Sequence, residues 1–159
     1  MNSTKIDPKF IGKSNPRVGL IALASDFMIE KDFINVIKDK KIDFFVNRIE
    51  CYNPLTKENL IKMSNKVTDV TKDILPDQDL DCVVYGCTSG TIAAGHDSIK
   101  QKVKAAKPMA EVSTPSTAAI KALKKFNGHI NLSLRYLLTS ESTSESTSES
   151  TSESTSEST

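Results

Sequence analysis

Short apolar segments alternate with helix-like segments over residues 17–138, and this alternation restricts the fold more than any other feature of the chain. The first of them, Arg17–Ala24, is a continuous apolar run, which is typical of a strand covered on both faces. Four further segments are predicted as strands: Ile42–Ile49, Leu80–Gly86, Met109–Val112 and Ile130–Leu138. Strands that alternate with helices through short loops indicate a parallel sheet. We therefore predict an α/β fold with four to five parallel strands and helices on both faces.

Four helices are predicted between and after these strands: Phe27–Lys38, Thr56–Ile74, Thr91–Ala106 and Ala118–Phe126. Ser25 and Asp26 are suited to cap the first helix, and Pro115 is suited to the first turn of the last one. Ligands bind such sheets outside the carboxyl ends of the strands. Three loops are predicted to meet at that edge, namely residues 25–26, 51–53 and 87–91.

The two ends of the chain differ in composition from this α/β domain, which is predicted over residues 17–138. Residues 1–16 are polar, contain two prolines and are predicted to form a flexible arm. Residues 139–159 include five copies of Ser-Glu-Ser-Thr. Such a repeat buries too little apolar surface to offset its chain entropy, so a disordered tail is predicted. An out-of-frame or replaced C-terminal half would produce the same abrupt change in composition.

The charge of the chain favours a small anionic ligand over a nucleic acid. Of the 20 acidic residues, five lie in the repeat, so the remaining body carries 15 acidic against 21 basic residues, a formal charge of +6. The basic residues are spread along the chain, whereas a nucleic-acid-binding face needs them clustered. A small anionic molecule is therefore the expected partner, and a nucleic acid is not.

The sequence also lacks the features of membrane and secreted proteins. It contains no apolar run of about eighteen residues, the length of a membrane span. Residues 1–13 lack the apolar segment of a secretory signal. Three cysteines are too few and too unevenly spaced for a disulfide framework. A cytoplasmic protein without membrane contact is expected.

The segment Gly86–Thr91, which reads Gly-Cys-Thr-Ser-Gly-Thr, is the strongest candidate for chemistry. Cys87 follows a predicted buried strand and precedes a helix start, where unpaired N–H groups favour a thiolate nucleophile. The same N–H groups, together with the hydroxyls of Thr88 and Ser89, are suited to hold a carboxylate or phosphate. A buried cysteine before an ordinary helix cap is the competing interpretation, and the residues alone do not separate the two.

Spacing argues against other uses of this loop. A cysteine phosphatase needs arginine six residues after its cysteine, and Ala93 stands there; a phosphate-binding P-loop needs a Gly-Lys-Ser/Thr sequence, which is absent. Cys82 and Cys87 are too far apart for a Cys-x-x-Cys redox motif. A zinc site built from these cysteines and His96 would have irregular ligand spacing, so no metal is expected.

The remaining candidates are weaker. Asp26 is of interest because its loop is predicted to face the Cys87 loop, although acidic residues are common at helix starts anyway. Cys51 follows the second strand near the predicted site, where packing is favoured over an accessory role. His96 and His129 are isolated in the sequence, and a structural role is favoured for both.

Three segments of the chain form a familiar combination: Arg17–Leu23 with Ser25-Asp26 and Glu30, Phe45–Ile49 with Asn53-Pro54, and above all Tyr85–Thr91. Together they resemble the aspartate/glutamate racemase superfamily, in the branch of maleate cis-trans isomerases, arylmalonate decarboxylases and the ectoine utilisation protein A group. The likeness extends from about Arg17 to Phe126, and Glu111–Leu123 fits the Thr-Pro segment of the family. The Ser-Asp loop and the Asn-Arg-Ile strand are most similar to the ectoine utilisation group.

The resemblance implies a cofactor-independent enzyme of two similar flavodoxin-like halves, with one cysteine from each half acting next to a substrate carboxylate. In the racemases, one thiolate removes the α-proton and the other thiol returns a proton to the opposite face. In the maleate isomerases, the first cysteine adds to the double bond, the adduct rotates, and elimination follows. Cys87 matches that first cysteine, and Thr88 and Ser89 match residues that hold the carboxylate. The decarboxylases have glycine at the Cys87 position, so decarboxylation is disfavoured.

Two departures from the family pattern leave two hypotheses open. Maleate isomerases usually carry asparagine at the position of Asp26, and a carboxylate there repels a dicarboxylate unless it is protonated or paired. The second half should begin near Ile130, but the chain soon enters the repeat and resembles a truncated first half. The chain is therefore either an isomerase- or racemase-like enzyme, with Asp26 orienting the substrate, or an inactive relic or anion-binding half-domain. Apolar surface left exposed on a half-domain favours self-association, so a homo-oligomer is also an expectation.

Overall fold

The computed structural model describes residues 15–125, which form four strands and six helices. The strands are β1 (Arg17–Leu23), β2 (Asp43–Ile49), β3 (Cys82–Tyr85) and β4 (Glu111–Ser113). Most of the predicted N-terminal arm, the predicted fifth strand Ile130–Leu138, His129 and the repeat tail lie outside the described residues. Within the described part of the chain, no helix has the length and hydropathy needed to span a membrane.

All four strands are parallel, and their order in the sheet is β2-β1-β3-β4. Leu20 of β1 lies beside Val46 of β2 on one side and Val84 of β3 on the other. From β1 the chain adds β2 on one side of the sheet and then β3 and β4 on the other side. The direction in which strands are added therefore reverses between β1 and β3. The carboxyl ends of these two central strands form the switch point at which open α/β sheets bind ligands. The predicted parallel α/β fold is confirmed.

The helices are α1 (Ile29–Ile37), α2 (Lys57–Ser64), α3 (Val67–Lys72), α4 (Thr88–Ala94), α5 (His96–Ala106) and α6 (Pro115–Lys125). The predictions of one helix over Thr56–Ile74 and one over Thr91–Ala106 were wrong, because each segment forms two shorter helices. In the first, the N–H of Asn65 reaches both Ile61 and Lys62 carbonyls, which tightens and ends α2. In the second, Gly95 has a φ of +82°, which interrupts the helical path.

The main core lies between the sheet and the layer formed by α2 to α5. Its largest fully buried side chains include Ile21, Tyr85, Met63, Ile99 and Val103. Burying each such side chain contributes about 1.5–3 kcal/mol to stability. Cys87 belongs to the same cluster. The core therefore anchors the turn that follows β3, where the candidate nucleophile lies.

The other face of the sheet is covered by α1. Phe33 of α1 stacks on Phe44 of β2, with the ring centroids 5.5 Å apart. A Cβ atom at Gly86 would stand 2.6 Å from Ile29 Cδ1 and 3.4 Å from Leu20 Cδ1, so these groups share that face. Because side chains alternate along a strand, Leu20 and the core residue Ile21 point in opposite directions. Helices therefore cover both faces, as predicted.

Candidate functional site

Cys87 lies in the turn that joins β3 to α4, directly beside the end of β1. The N–H of Gly86 donates to the Ile21 carbonyl at 2.9 Å, which holds this turn against the central strand. Ile29, at the start of α1, approaches so closely that a side chain at position 86 would overlap with it. A glycine is therefore needed at position 86, because only a residue without a side chain lets the Cys87 turn and the start of α1 lie this close together.

The thiol of Cys87 caps the first turn of α4. Its Sγ accepts the Gly90 N–H at 3.2 Å, and the hydroxyl of Ser89 lies 3.7 Å from the sulphur. The Cys87 carbonyl accepts the Thr91 hydroxyl at 2.6 Å, and Thr91 is buried beneath the turn. Hydrogen-bond donors that surround a sulphur stabilise its thiolate form. The side chain is only 3% exposed, so the sulphur is held in one position by its neighbours.

Thr88 and Ser89 form the solvent-facing part of the same turn. Both are exposed, whereas Cys87, Gly90 and Thr91 are buried. The structure therefore brings three of the four predicted site residues together on one turn, with the hydroxyl side chains on its outer side. A small carboxylate bound by these hydroxyls would stand next to the sulphur.

Asp26, the fourth predicted residue, lies in the loop between β1 and α1. Its Oδ1 accepts the N–H groups of Met28 at 2.8 Å and Ile29 at 3.0 Å, so the carboxylate caps α1. The hydrogen bond from the Ile29 N–H is the largest cause that lowers the pKa of Asp26, and the bond from the Met28 N–H is the second. The nearby charge of Arg48 also lowers it. The carboxylate is therefore ionised and engaged with the start of α1.

Arg48, at the end of β2, is a site-forming residue that sequence reasoning missed. Its guanidinium donates to the backbone carbonyls of Leu23 and Asp26 and forms an ion pair with Glu30 at 2.9 Å. These contacts join β2 to the loop that carries Asp26 and place a positive charge near its carboxylate. A charged residue near the carboxyl end of a predicted strand was the signal that could have identified it.

Tyr85 is the second residue that was missed. The side chain is fully buried at the end of β3, and its hydroxyl makes no hydrogen bond within the described residues. A Cβ atom on Gly90 would stand 2.6 Å from this hydroxyl oxygen and 2.9 Å from Cys87 Sγ, so the two atoms border the same small space. Burial is the largest cause that raises the pKa of Tyr85, and charge on Cys87 raises it further. The hydroxyl therefore keeps its proton.

The other candidate residues occupy different places. Cys82 begins β3 and lies beside Val18 and Glu111, at the opposite end of the strand from Cys87. Cys51 follows β2 and is half-buried; its charge also contributes, as the smallest cause, to the raised pKa of Tyr85. His96 begins α5, and its Nδ1 is buried without a hydrogen bond in the part of the chain that the structure describes.

Removing the Asp26 carboxylate is expected to destabilise α1. Asp26→Ala should lower the free energy of unfolding by about 1 kcal/mol at neutral pH, the usual value of an N-terminal cap. Because folding lowers this pKa, the contribution is complete above the ordinary value of 3.8 and is lost as the pH falls through the folded value. Urea unfolding at neutral and acidic pH measures both effects.

Asp26→Asn is the matched control, because the amide oxygen can still accept the helix N–H groups but carries no charge. This variant should keep most of the stability at neutral pH and lose the pH dependence. An alanine variant as stable as the wild type at neutral pH would contradict the capping role.

The sequence matches no known family model and no curated protein sequence. The fold is similar to that of the Nocardia farcinica maleate cis-trans isomerase bound to TRIS, with a TM-score of 0.57 at 16% sequence identity. The matched region covers 69% of this chain and 48% of that chain, so this chain spans about half the length of the isomerase it matches. At this level of identity the likeness concerns the fold alone, and the chain has an isomerase-like α/β fold.

Proposed function

We propose that the protein is a cofactor-independent isomerase- or racemase-like enzyme, of the ectoine utilisation or maleate isomerase type. It would act through the Cys87 thiolate on the carbon next to a carboxylate. The observation that carries the proposal is the position of Cys87. The residue follows a central strand at the switch point of an isomerase-like sheet, and its sulphur accepts a backbone N–H at 3.2 Å.

Each of the four candidate residues has a separate part in the proposed reaction. Thr88 and Ser89 hold the substrate carboxylate through their hydroxyl groups, and Asp26 orients the substrate. In an isomerisation, Cys87 Sγ adds to one carbon of the double bond, the adduct rotates about the carbon–carbon bond that has become single, and elimination restores the double bond and releases the thiolate. In a racemisation, the thiolate takes the α-proton and becomes a thiol, while a second acid must protonate the opposite face.

The surroundings of Asp26 bear on the choice of substrate. An uncompensated carboxylate would repel a dicarboxylate such as maleate. Here the charge is offset by two helix N–H groups and by the guanidinium of Arg48, which donates to the Asp26 carbonyl. The positive charge of the body outside the repeat adds a general attraction for anions. Both monocarboxylates and dicarboxylates therefore belong in a substrate screen.

A second candidate function is carboxylate binding without turnover by an inactive half-domain. It is favoured by the distribution of the thiols in the described residues, where Cys87 lies on the turn after β3 and Cys82 lies at the opposite end of that strand. A single cysteine serves one face of the reacting carbon only. Exchange of the α-proton for deuterium without racemisation would identify such a half-site.

The test of the proposed function is the reaction of each thiol with a small methyl thiosulfonate, which forms a methyl disulfide and releases a sulfinate, measured by mass spectrometry on the full chain. Cys51 and Cys82 are more exposed than Cys87, so access alone would make them react faster. We expect Cys87 to react at least about tenfold faster than both near neutral pH, because thiolate content sets the rate. Maleate or another accepted carboxylate should slow the reaction at Cys87 alone.

A Cys87 that reacts no faster than Cys82, and that no small carboxylate protects, would overturn the proposal. Protection of a fast Cys87 without any turnover would instead support the half-domain. Because the three thiols are compared in one sample, differences in protein concentration or reagent quality cannot produce either result.

A further inference from the structure

The hydroxyl of Tyr85 is a buried polar group for which the described residues provide no hydrogen bond. The side chain is 0% exposed, so bulk water does not reach it. Buried hydroxyl groups in native proteins nearly always have a partner, because an unpaired one retains its full desolvation penalty. The partner within reach is Cys87, since an interaction between the two side chains contributes to the raised pKa of Tyr85 although their geometry in this structure is not that of a formed hydrogen bond.

The space in front of the hydroxyl is shared with the sulphur of Cys87. The point at which a Gly90 Cβ would stand lies 2.6 Å from the Tyr85 oxygen, 2.9 Å from Cys87 Sγ and 3.1 Å from Met63 Cε. Glycine at position 90 keeps this space open, and Met63 of α2 closes it with an apolar wall. The tyrosine oxygen and the sulphur therefore border a small space of low polarity, in which a hydrogen bond between them would be strong.

We infer that Tyr85 is a positioning residue that donates its hydroxyl hydrogen to Cys87 Sγ when the thiol ionises, and so holds the thiolate in place. The inference rests on the proposed function of Cys87 and extends it to a residue buried beneath the nucleophile. The sulphur would then receive three donors, from Tyr85, Ser89 and the Gly90 N–H. No bond is made or broken in this role, since the phenol keeps its proton.

The groups around the hydroxyl are suited to this role. Burial and the charge on Cys87 raise the pKa of Tyr85, so the phenol remains a donor over the whole range in which the thiol titrates. Cys51, in the loop after β2, is the other titratable group that acts on Tyr85, and the nearest atom of α2 at this space is the apolar Met63 Cε. Charge on Cys51 would therefore strengthen the retention of the tyrosine proton.

The test is the pH dependence of the Cys87 modification rate in Tyr85→Phe, measured on the full chain from about pH 5 to 10. Loss of the donor is expected to move the midpoint of this profile upward by about one pH unit, and to slow the reaction near neutral pH about tenfold. At the acidic end of this range, where the thiol is protonated, the melting temperature should change little, since the variant keeps the ring and loses only an unpaired hydroxyl.

Tyr52→Phe is the matched control. The Tyr52 hydroxyl donates to the Glu50 carboxylate at 2.8 Å and is therefore already engaged with another partner, so its loss should leave the Cys87 profile unchanged. A purely structural role of Tyr85 would alter the melting temperature without moving the profile. If Tyr85→Phe does not fold, the wild type provides a second measurement. Its Cys87 is ionised by raising the pH, the ionisation is monitored by thiolate absorbance, and the tyrosine ultraviolet spectrum should change at the same time.

Three results overturn the inference: an identical Cys87 profile in Tyr85→Phe and wild type, a Cys87 that never ionises in the wild type, or no tyrosine perturbation on its ionisation. The readout is thiol reactivity, so it is separate from turnover. An unchanged profile with normal turnover would refute the role of Tyr85 alone. A shifted profile in a protein that converts no carboxylate would refute the proposed enzyme while keeping the Tyr85–Cys87 interaction.

Discussion

Replacing Cys87 by serine is expected to reduce turnover of any accepted carboxylate by about a thousandfold or more, because the reacting nucleophile is removed. Serine cannot supply an anionic nucleophile near neutral pH, whereas a thiol can. The fold should be retained, since serine is a favoured N-cap residue and its oxygen can accept the Gly90 N–H in place of the sulphur. The loss of turnover is measured by NMR, which monitors the conversion of maleate or the racemisation of amino-acid derivatives.

Cys82→Ser is the control for this experiment. Cys82 lies at the amino end of β3, beside Val18 and Glu111, so its substitution removes a thiol without touching the Cys87 turn. The control should convert substrate at the wild-type rate. Turnover in Cys87→Ser at more than about a tenth of the wild-type rate would contradict a nucleophilic role for Cys87.

Gly90→Ala is expected to have the largest effect on the site among changes that leave its chemical groups intact. The added methyl would stand 2.6 Å from the Tyr85 oxygen and 2.9 Å from Cys87 Sγ, and the ring of Tyr85 is too deeply buried to move aside. Overpacking of this kind costs about 1–3 kcal/mol, partly offset by the higher helix propensity of alanine. We expect lower stability in urea and a Cys87 displaced from the Gly90 N–H, with its reaction rate changed about tenfold.

Gly95→Ala is the control that distinguishes steric overlap beside the sulphur from backbone strain. Gly95 has a φ of +82°, and a Cβ placed on it meets nothing within 4 Å. The alanine variant should therefore lose about 1–3 kcal/mol through strain alone and leave Cys87 reactivity unchanged. Equal Cys87 rates in Gly90→Ala and wild type would show that the space beside the sulphur is not needed.

The sequence was sufficient for the parts of the structure that depend on local pattern. The apolar run at Arg17–Ala24 predicted β1, which spans Arg17–Leu23, and the aromatic and β-branched run at Ile42–Ile49 predicted β2, which spans Asp43–Ile49. A strand covered on both faces, such as β1, needs a continuous apolar segment, and β2 is enriched in aromatic and β-branched residues, so both patterns can be read without knowledge of the neighbouring strands. The position of Cys87 after a buried strand follows from the same reasoning.

Helix boundaries were less predictable, because apolar periodicity continues across a break. The spacing of Leu60, Met63 and Val67 fits a single helix, yet backbone bonds at Asn65 end α2 before α3 begins. Gly95 divides the next segment in the same way. A change of a few backbone angles moves whole helices while leaving the apolar positions in register, so the pattern alone does not reveal it.

Only the tertiary structure decided which groups surround the nucleophile. Tyr85 reads as a core residue in the sequence, and its unpaired hydroxyl appears only when β3, α2 and α4 pack around the space left by Gly90. Arg48 acquires its role from carbonyls more than twenty positions away, at Leu23 and Asp26. The local sequence pattern determines where strands and turns form. The contacts that set the position and pKa of a side chain come from segments distant in sequence, and these segments come together only in the packed fold.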